Sequence, residues 1–197
     1  MADVRSQKEA DKEPMSIIFC LISREAVMLK KKLCVWFLCC FFPTILFAQD
    51  IDLTTPQGKV LLTLSGNITE QNSDGALKLD RDQLLQFQQR TISTETRWTE
   101  GMNVFKGPLV RDVLAAAGAT GAMVSAEAAN EYKIEIPFED FESFDVILAI
   151  ENNGEPLTVR SKGPVWVIYP WSEDAALKNG TYYSRAIWQL VKFDVHD

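Results

Sequence analysis

Histidine occurs once in this 197-residue chain, as His196, and the four cysteines, Cys20, Cys34, Cys39 and Cys40, all lie before residue 41. From Gln49 onward there is no thiol. That stretch can form no disulfide, no thiolate zinc site and no cysteine nucleophile. A single histidine beside the C-terminus excludes a His-Asp-Ser triad and a multi-histidine metal site. His196 is expected to be a frayed terminal residue. The chain also lacks a phosphate-cradling Gly-rich loop, a nucleophile elbow, internal repeats and low-complexity tracts. Positive charge is scarce as well. From Gln49 onward 13 Lys and Arg face 22 Asp and Glu, a net of −9. Such a domain repels nucleic acid and anionic membrane surfaces.

Long apolar runs are missing with one exception, Leu33 to Phe47. At about 15 residues it falls short of the roughly 20 that span a bilayer as a helix. It follows Met28-Leu29-Lys30-Lys31-Lys32 and precedes Ala48-Gln49-Asp50. A basic region, an apolar region and a small residue before a polar one make a secretory signal peptide, here residues 28–48, cleaved after Ala48. Residues 1–27 then read as an upstream extension. The alternative for the apolar run is a retained N-terminal anchor. A lipid anchor on Cys39 or Cys40 is disfavoured, because no small residues precede either. The expected product is a periplasmic protein, residues 49–197, of one-domain size with room for a real core.

What remains is a succession of short elements. Val60 to Ser65 predicts a strand ending at Gly66-Asn67, and Leu77-Lys78-Leu79 alternates into Asp80, a helix N-cap before Arg81 to Gln89. Asn103 to Pro108 reads as a turn. Leu109 to Ala117 has helical spacing between Pro108 and Gly118. Met123–Ala126 and Tyr132–Ile136 predict strands, Pro137–Phe144 a helical turn, and Val146–Ile150 a buried strand. Asn152-Asn153-Gly154-Glu155-Pro156 predicts a hairpin turn, from which Leu157 to Val159 returns. Val165 to Tyr169 and Trp188 to Val195 predict the last two strands. About nine strands and three short helices indicate an α+β domain, a β-dominated mixed sheet or barrel-like fold rather than a doubly wound parallel sheet.

One stretch stands out chemically. Thr91-Ile92-Ser93-Thr94-Glu95-Thr96-Arg97-Trp98-Thr99-Glu100-Gly101 combines hydroxyls, a guanidinium and an indole. These groups can hold a flat polar heterocycle by its edge and by its face. The same residues would also serve as a Thr-rich strand and loop with Trp98 in the core.

Read together, six segments carry a resemblance. They are Trp98-Thr99-Glu100-Gly101; Phe105-Lys106-Gly107-Pro108-Leu109-Val110-Arg111-Asp112-Val113-Leu114; Asn130-Glu131-Tyr132; Leu148-Ala149 with Asn153 to Leu157; Lys162-Gly163-Pro164-Val165-Trp166-Val167-Ile168-Tyr169-Pro170-Trp171; and Ile187-Trp188-Gln189-Leu190. In this order the chain resembles the sulfite-oxidase-type molybdopterin-binding domain, and most closely its short exported members. Enzymes of that family bind a molybdenum–pterin cofactor, with a cysteine thiolate before the Trp-x-x-Gly segment on the metal. Here Thr94 is the nearest counterpart of that cysteine, with Ser93 beside it. A hydroxyl is a poor soft ligand where thiolate suits the metal. The chain is similar to small exported pterin-binding regulators that lack this cysteine. The resemblance therefore implies a reduced, non-molybdenum pterin as ligand and no catalysis. It also implies a partner, the periplasmic domain of a membrane-bound diguanylate cyclase/phosphodiesterase, and through it control of cyclic-di-GMP and biofilm formation.

Expected readers of the pterin edge are Thr94, Thr96, Arg97, Asn130 and Arg185. Expected stacking or wall residues are Trp98, Tyr132, Trp171 and Tyr182, with Trp171 at the mouth of the site. Trp166 and Trp188 sit in apolar runs and are expected in the core, and Glu95 as a solvated carboxylate. Arg97 and Arg185 have an alternative use, pairing with surface carboxylates. Three rival readings stand beside the sensor. One is a molybdoenzyme that holds its cofactor without a thiolate, another a pterin-independent interaction module, and the third a binder of a sugar or another aromatic metabolite.

Overall fold

Leu62 and Leu64 alternate with half-exposed neighbours along Val60–Gly66 (β1), and this period of two sets the first sheet. A computed structural model describes residues 51–197. The expected signal peptide and upstream extension lie outside the described residues. After β1 come Leu77–Asp80 (β2), helix Arg81–Gln86 (α1), Gln89–Glu95 (β3), Met102–Pro108 (β4), helix Val110–Ala116 (α2), Met123–Ala128 (β5) and Lys133–Pro137 (β6). Then follow helix Phe138–Ser143 (α3), Ile147–Ala149 (β7), Glu151–Asn152 (β8), Glu155–Pro156 (β9), Trp166–Ile168 (β10), helix Gly180–Arg185 (α4) and Leu190–His196 (β11). Two 3-10 turns, Val159–Ser161 and Ala175–Leu177, flank β10.

The strands form a five-stranded sheet in the order β2-β1-β11-β5-β6, a four-stranded sheet β3-β4-β8-β9 and a pair β10-β7. Among the described residues only β1 and β11, the first and the last strand, run parallel. The sheets enclose one core in which Phe105, Phe141, Trp166, Tyr169, Trp171 and Phe193 are fully buried. Among the described residues no helix is long and apolar enough to cross a membrane. The β-dominated α+β class expected from the sequence is the one observed.

Local chemistry explains several elements. Asp80 caps α1 by accepting from Gln83 N at 3.0 Å, while the Gln83 side chain accepts from Asp80 N at 3.1 Å. Such a reciprocal cap stabilises by about 1 kcal/mol. Asn153 and Gly154 take φ of 51° and 84° in the hairpin expected between Asn152 and Pro156, as a primed turn requires.

Other expectations need correction. Asn103–Pro108 is no turn but most of β4, which lies between β3 and β8. Gly107 and Pro108 give it the look of a turn. In fact Gly107 is needed because a Cβ there would lie 1.9 Å from the Leu148 carbonyl oxygen. The hairpin returns through Glu155-Pro156, and Val159 begins a 3-10 turn instead of ending a strand. Helix α4 carries no apolar period and was not expected; Asn179 starts it by accepting from Thr181 N and Tyr182 N. His196 is not frayed, since as the last residue of β11 it pairs with Met123 of β5 and its Nε2 lies 3.0 Å from Glu135. The described residues hold eleven strands and four α-helices, against the nine and three expected.

Candidate ligand-binding site

Between β3 and β4 the chain turns back through Thr96–Gly101, and side-chain bonds fix this loop. Thr96 Oγ1 lies 2.8 Å from Thr99 Oγ1 and accepts from Trp98 N at 3.1 Å. The buried Asn103 amide donates to Thr99 Oγ1 and to the carbonyls of Glu100 and Gly101. The loop thereby sets the half-buried Trp98 edge-on among Trp188 at 5.3 Å, Trp166 at 5.9 Å, Tyr183 at 6.0 Å and Trp171 at 6.4 Å. Edge-on aromatic pairs contribute about 0.5–1.5 kcal/mol each beyond burial, so the cluster is a stiff support.

Beside it lies a cavity of about 290 Å3 lined by Trp98, Asn130, Tyr132, Tyr183, Ser184 and Trp188, with Ala128, Ala186 and Ile187. Three sources meet here: the β3–β4 loop, the β5–β6 turn, and α4 with the segment leading to β11. In the β5–β6 turn Asn130 Oδ1 accepts from Tyr132 N at 3.2 Å, leaving its amide NH2 without a partner among the described residues. The α4 wall is anchored from behind. Arg185 Nη1 donates to both carboxylate oxygens of the buried Asp140, at 3.0 and 2.8 Å, and Tyr169 Oη donates to the same carboxylate at 2.8 Å. Burial, and then the negative charge of Asp140, pushes the Tyr169 phenol well above its ordinary pKa. It remains a neutral donor at any physiological pH. The cavity is thus apolar on its faces with a few polar groups at its edge, the common make-up of small-molecule sites.

Of the expected site residues, Trp98, Asn130 and Tyr132 line this cavity. Arg97 is exposed beside it, with its guanidinium 3.8 Å from the centre of the Tyr183 ring. Thr96 braces the loop. Five expectations are corrected by packing. Trp171 is fully buried, not at a mouth, and stacks on Tyr183 at 5.2 Å. Thr94 is fully buried too; its hydroxyl accepts from Ser172 N at 3.1 Å and lies 3.1 Å from Ser172 Oγ. Arg185 is spent on Asp140, and Tyr182 packs on Phe144 and Tyr169, so neither lines the cavity. Trp188, expected in the core, is 37% exposed and forms a wall. Trp166 is core, as expected, donating from Nε1 to Ala186 O. Glu95 is exposed.

Tyr183, Ser184 and Trp188 were thus missed. The first two lie on α4, a helix without an apolar period to announce it; once it forms, neighbours point about 100° apart, so Tyr182 and Tyr183 cannot share a face.

The family described as oxidoreductase molybdopterin binding domain matches residues 70–176, more than half of the chain. The chain belongs to this family. Its domains bind the molybdopterin cofactor and are characteristic of molybdopterin oxidoreductases. Among solved structures it is similar to the sulfane dehydrogenase SoxCD from Paracoccus pantotrophus, with a TM-score of 0.53 and 20% identity. That likeness covers 70% of this chain and 38% of the other, and at such identity it concerns the fold alone. No curated protein matches the sequence.

The residues present can be tested against the family's cofactor. They do not fit its metal end. No cysteine occurs among the described residues, and no group of three or more His, Cys, Asp or Glu there could hold a metal ion. Thr94, the residue expected to stand nearest the thiolate's place, is sealed from solvent with its hydroxyl already bonded. The flat pterin ring is another matter. Ligand sites commonly run from ~300 to ~1,000 Å3, so about 290 Å3 suits a bicyclic ring better than a complete metal-bearing cofactor.

Proposed function

We propose that this protein is an exported, non-catalytic pterin sensor that controls a membrane-bound diguanylate cyclase/phosphodiesterase through the periplasmic domain of that enzyme. The observation that carries the reading is Thr94. In a family whose chemistry needs a thiolate at this point, the side chain is a buried hydroxyl engaged by Ser172. The loop that follows Thr94 carries Trp98 to the wall of a ring-sized aromatic cavity. In this reading a reduced, metal-free pterin lies in the cavity against the wall that Trp98 and Trp188, in edge-on contact with each other, form together. The Asn130 amide donates to its polar edge, and the Ser184 oxygen, whose proton goes to Thr181 O at 2.7 Å, accepts from it. A site built on such edge bonds rejects analogues that leave its groups unpaired. Tyr132 and Trp188, half-exposed at the cavity, form with the ligand a surface that differs between the free and the bound protein. By linkage, a partner that senses this surface changes pterin affinity as much as pterin changes partner affinity.

Calorimetric titration of the purified protein with a reduced pterin under anaerobic conditions tests the reading. Saturable binding is expected, weakened at least tenfold in a still-folded Trp98→Ala variant. No heat from folded wild-type protein with any of several pterins would overturn it and favour a pterin-independent interaction module. Family membership favours a second reading, a molybdopterin oxidoreductase without the usual cysteine, which predicts stoichiometric molybdenum in the purified protein.

A further inference from the structure

Two cations stand over the walls of the cavity, and neither has a carboxylate among the described residues. The Arg97 guanidinium lies 3.8 Å from the centre of the Tyr183 ring. The Lys162 ammonium lies 4.6 Å from the centre of the Trp188 ring and 5.7 Å from that of Trp166. Tyr183 and Trp188 both line the cavity. Arg81, Arg90, Arg111 and Arg185 pair with carboxylates, whereas Arg97 and Lys162, like Lys59, Arg160 and Lys178, have none among the described residues. What sets Arg97 and Lys162 apart is their place over rings that wall the cavity. Arg97 and Lys162 rest on aromatic faces, an attraction worth about 0.5–1 kcal/mol at exposed sites. They keep their hydrogen-bond donors free.

Lys162 also holds an unusual backbone. Its φ is 70°, and its carbonyl accepts from Gln189 N at 2.9 Å. Glycine adopts this conformation more cheaply than any residue with a Cβ. The left-handed turn is fixed by Gln189, the residue after Trp188, and so keeps the ammonium registered over that indole.

We infer that the cavity selects a flat heteroaromatic ring bearing an anionic group, a carboxylate or a phosphate ester. The ring lies against Trp98 and Trp188, and the anion meets the free donors of Arg97 or Lys162. Without these cations the negative field of the domain would repel such a ligand. The inference rests on the pterin reading of the cavity and adds the charge of the ligand to it.

The test is anaerobic titration of the purified protein with the dihydro forms of neutral 6-hydroxymethylpterin, pterin-6-carboxylate and a phosphate-ester pterin, at low and high salt. The variants are Arg97→Gln, Lys162→Gln and both together, each checked for folding by circular dichroism. At least one anionic pterin is expected to bind about tenfold tighter than the neutral one, in line with a charge-assisted contact at a partly exposed site. The carboxylate and phosphate arms tell which anion fits. The preference should shrink at high salt and fall below about twofold in the double variant. Equal binding of neutral and anionic pterins, or a preference that survives in the double variant, would overturn the inference and leave the pterin reading standing. Failure of all three pterins to bind would remove both.

Discussion

Thr94→Val replaces a buried hydroxyl by a methyl of nearly the same size. The side chain has no exposed surface, so the change is felt entirely inside. Ser172 N loses its acceptor at 3.1 Å, Ser172 Oγ loses its neighbour at 3.1 Å, and the tie between β3 and the segment after β10 is cut. Leaving a donor unpaired costs about 1–3 kcal/mol when it is buried. Ser172 is itself exposed and its bond to Thr94 part-buried, which places the cost near the lower figure. The added methyl returns roughly 0.8 kcal/mol of apolar burial. The net expectation is a loss of under about 1 kcal/mol. For a domain of this size that lowers Tm by under about 4 °C. Thermal unfolding followed by circular dichroism measures it, with Thr94→Ser as the variant that keeps the hydroxyl. Pterin titration on the same preparations supplies the second number. If Thr94 is a brace and not a reader of the ligand, affinity changes less than about threefold while Tm falls. An unchanged Tm with an affinity loss of tenfold or more would refute the assignment and return Thr94 to the ligand's edge.

Two further outcomes follow from buried charge. Asp140→Ala leaves Arg185 and the Tyr169 hydroxyl without their acceptor; breaking such a pair costs about 3–5 kcal/mol when fully buried. Arg185 retains some solvent contact, which places the loss nearer the lower figure. Urea unfolding checks it, and a midpoint shift equivalent to under about 1 kcal/mol would contradict a structural role. The second outcome concerns acid. Accepting from Gln83 N, and beyond that from Gly58 N and Gln57 N, holds the Asp80 carboxyl below the ordinary Asp value despite the opposing effect of burial. A carboxyl whose folded pKa is depressed contributes stability that is present above its unfolded value, ~3.9. That contribution is lost as pH falls through the lower folded value. Urea midpoints measured from neutral pH downward should therefore decline less steeply at the acid end in Asp80→Asn than in wild type. Parallel curves would contradict it.

Much of the fold was legible in residue order. Val60–Gly66, Lys133–Pro137 and Leu190–His196 announce themselves by alternation, α1 by its cap, and the β8–β9 hairpin by Asn-Gly. These signals are local, so a reader of one dimension recovers them. β4 was illegible because its Gly-Pro end mimics a turn, and the need for Gly107 comes from a carbonyl about 40 residues away. Helix α4 was illegible because Asn179 and Arg185, its cap and its anchor, define it better than any apolar period.

The candidate site divides in the same way. Sequence alone determined that the described domain has no thiol and no histidine cluster, and that it carries an excess of acid. These are properties of composition, which folding cannot alter. Sequence also placed Trp98, Asn130 and Tyr132 among the candidates. Only the tertiary structure decided that Trp171 is sealed while Trp188 is open, that Arg185 is taken by Asp140, and that Thr94 is spent on Ser172. Whether a ring or a cation faces a cavity or a core depends on what packs against it from distant parts of the chain. Here Arg185 and Asp140 lie 45 residues apart in sequence, and Thr94 and Ser172 lie 78 apart.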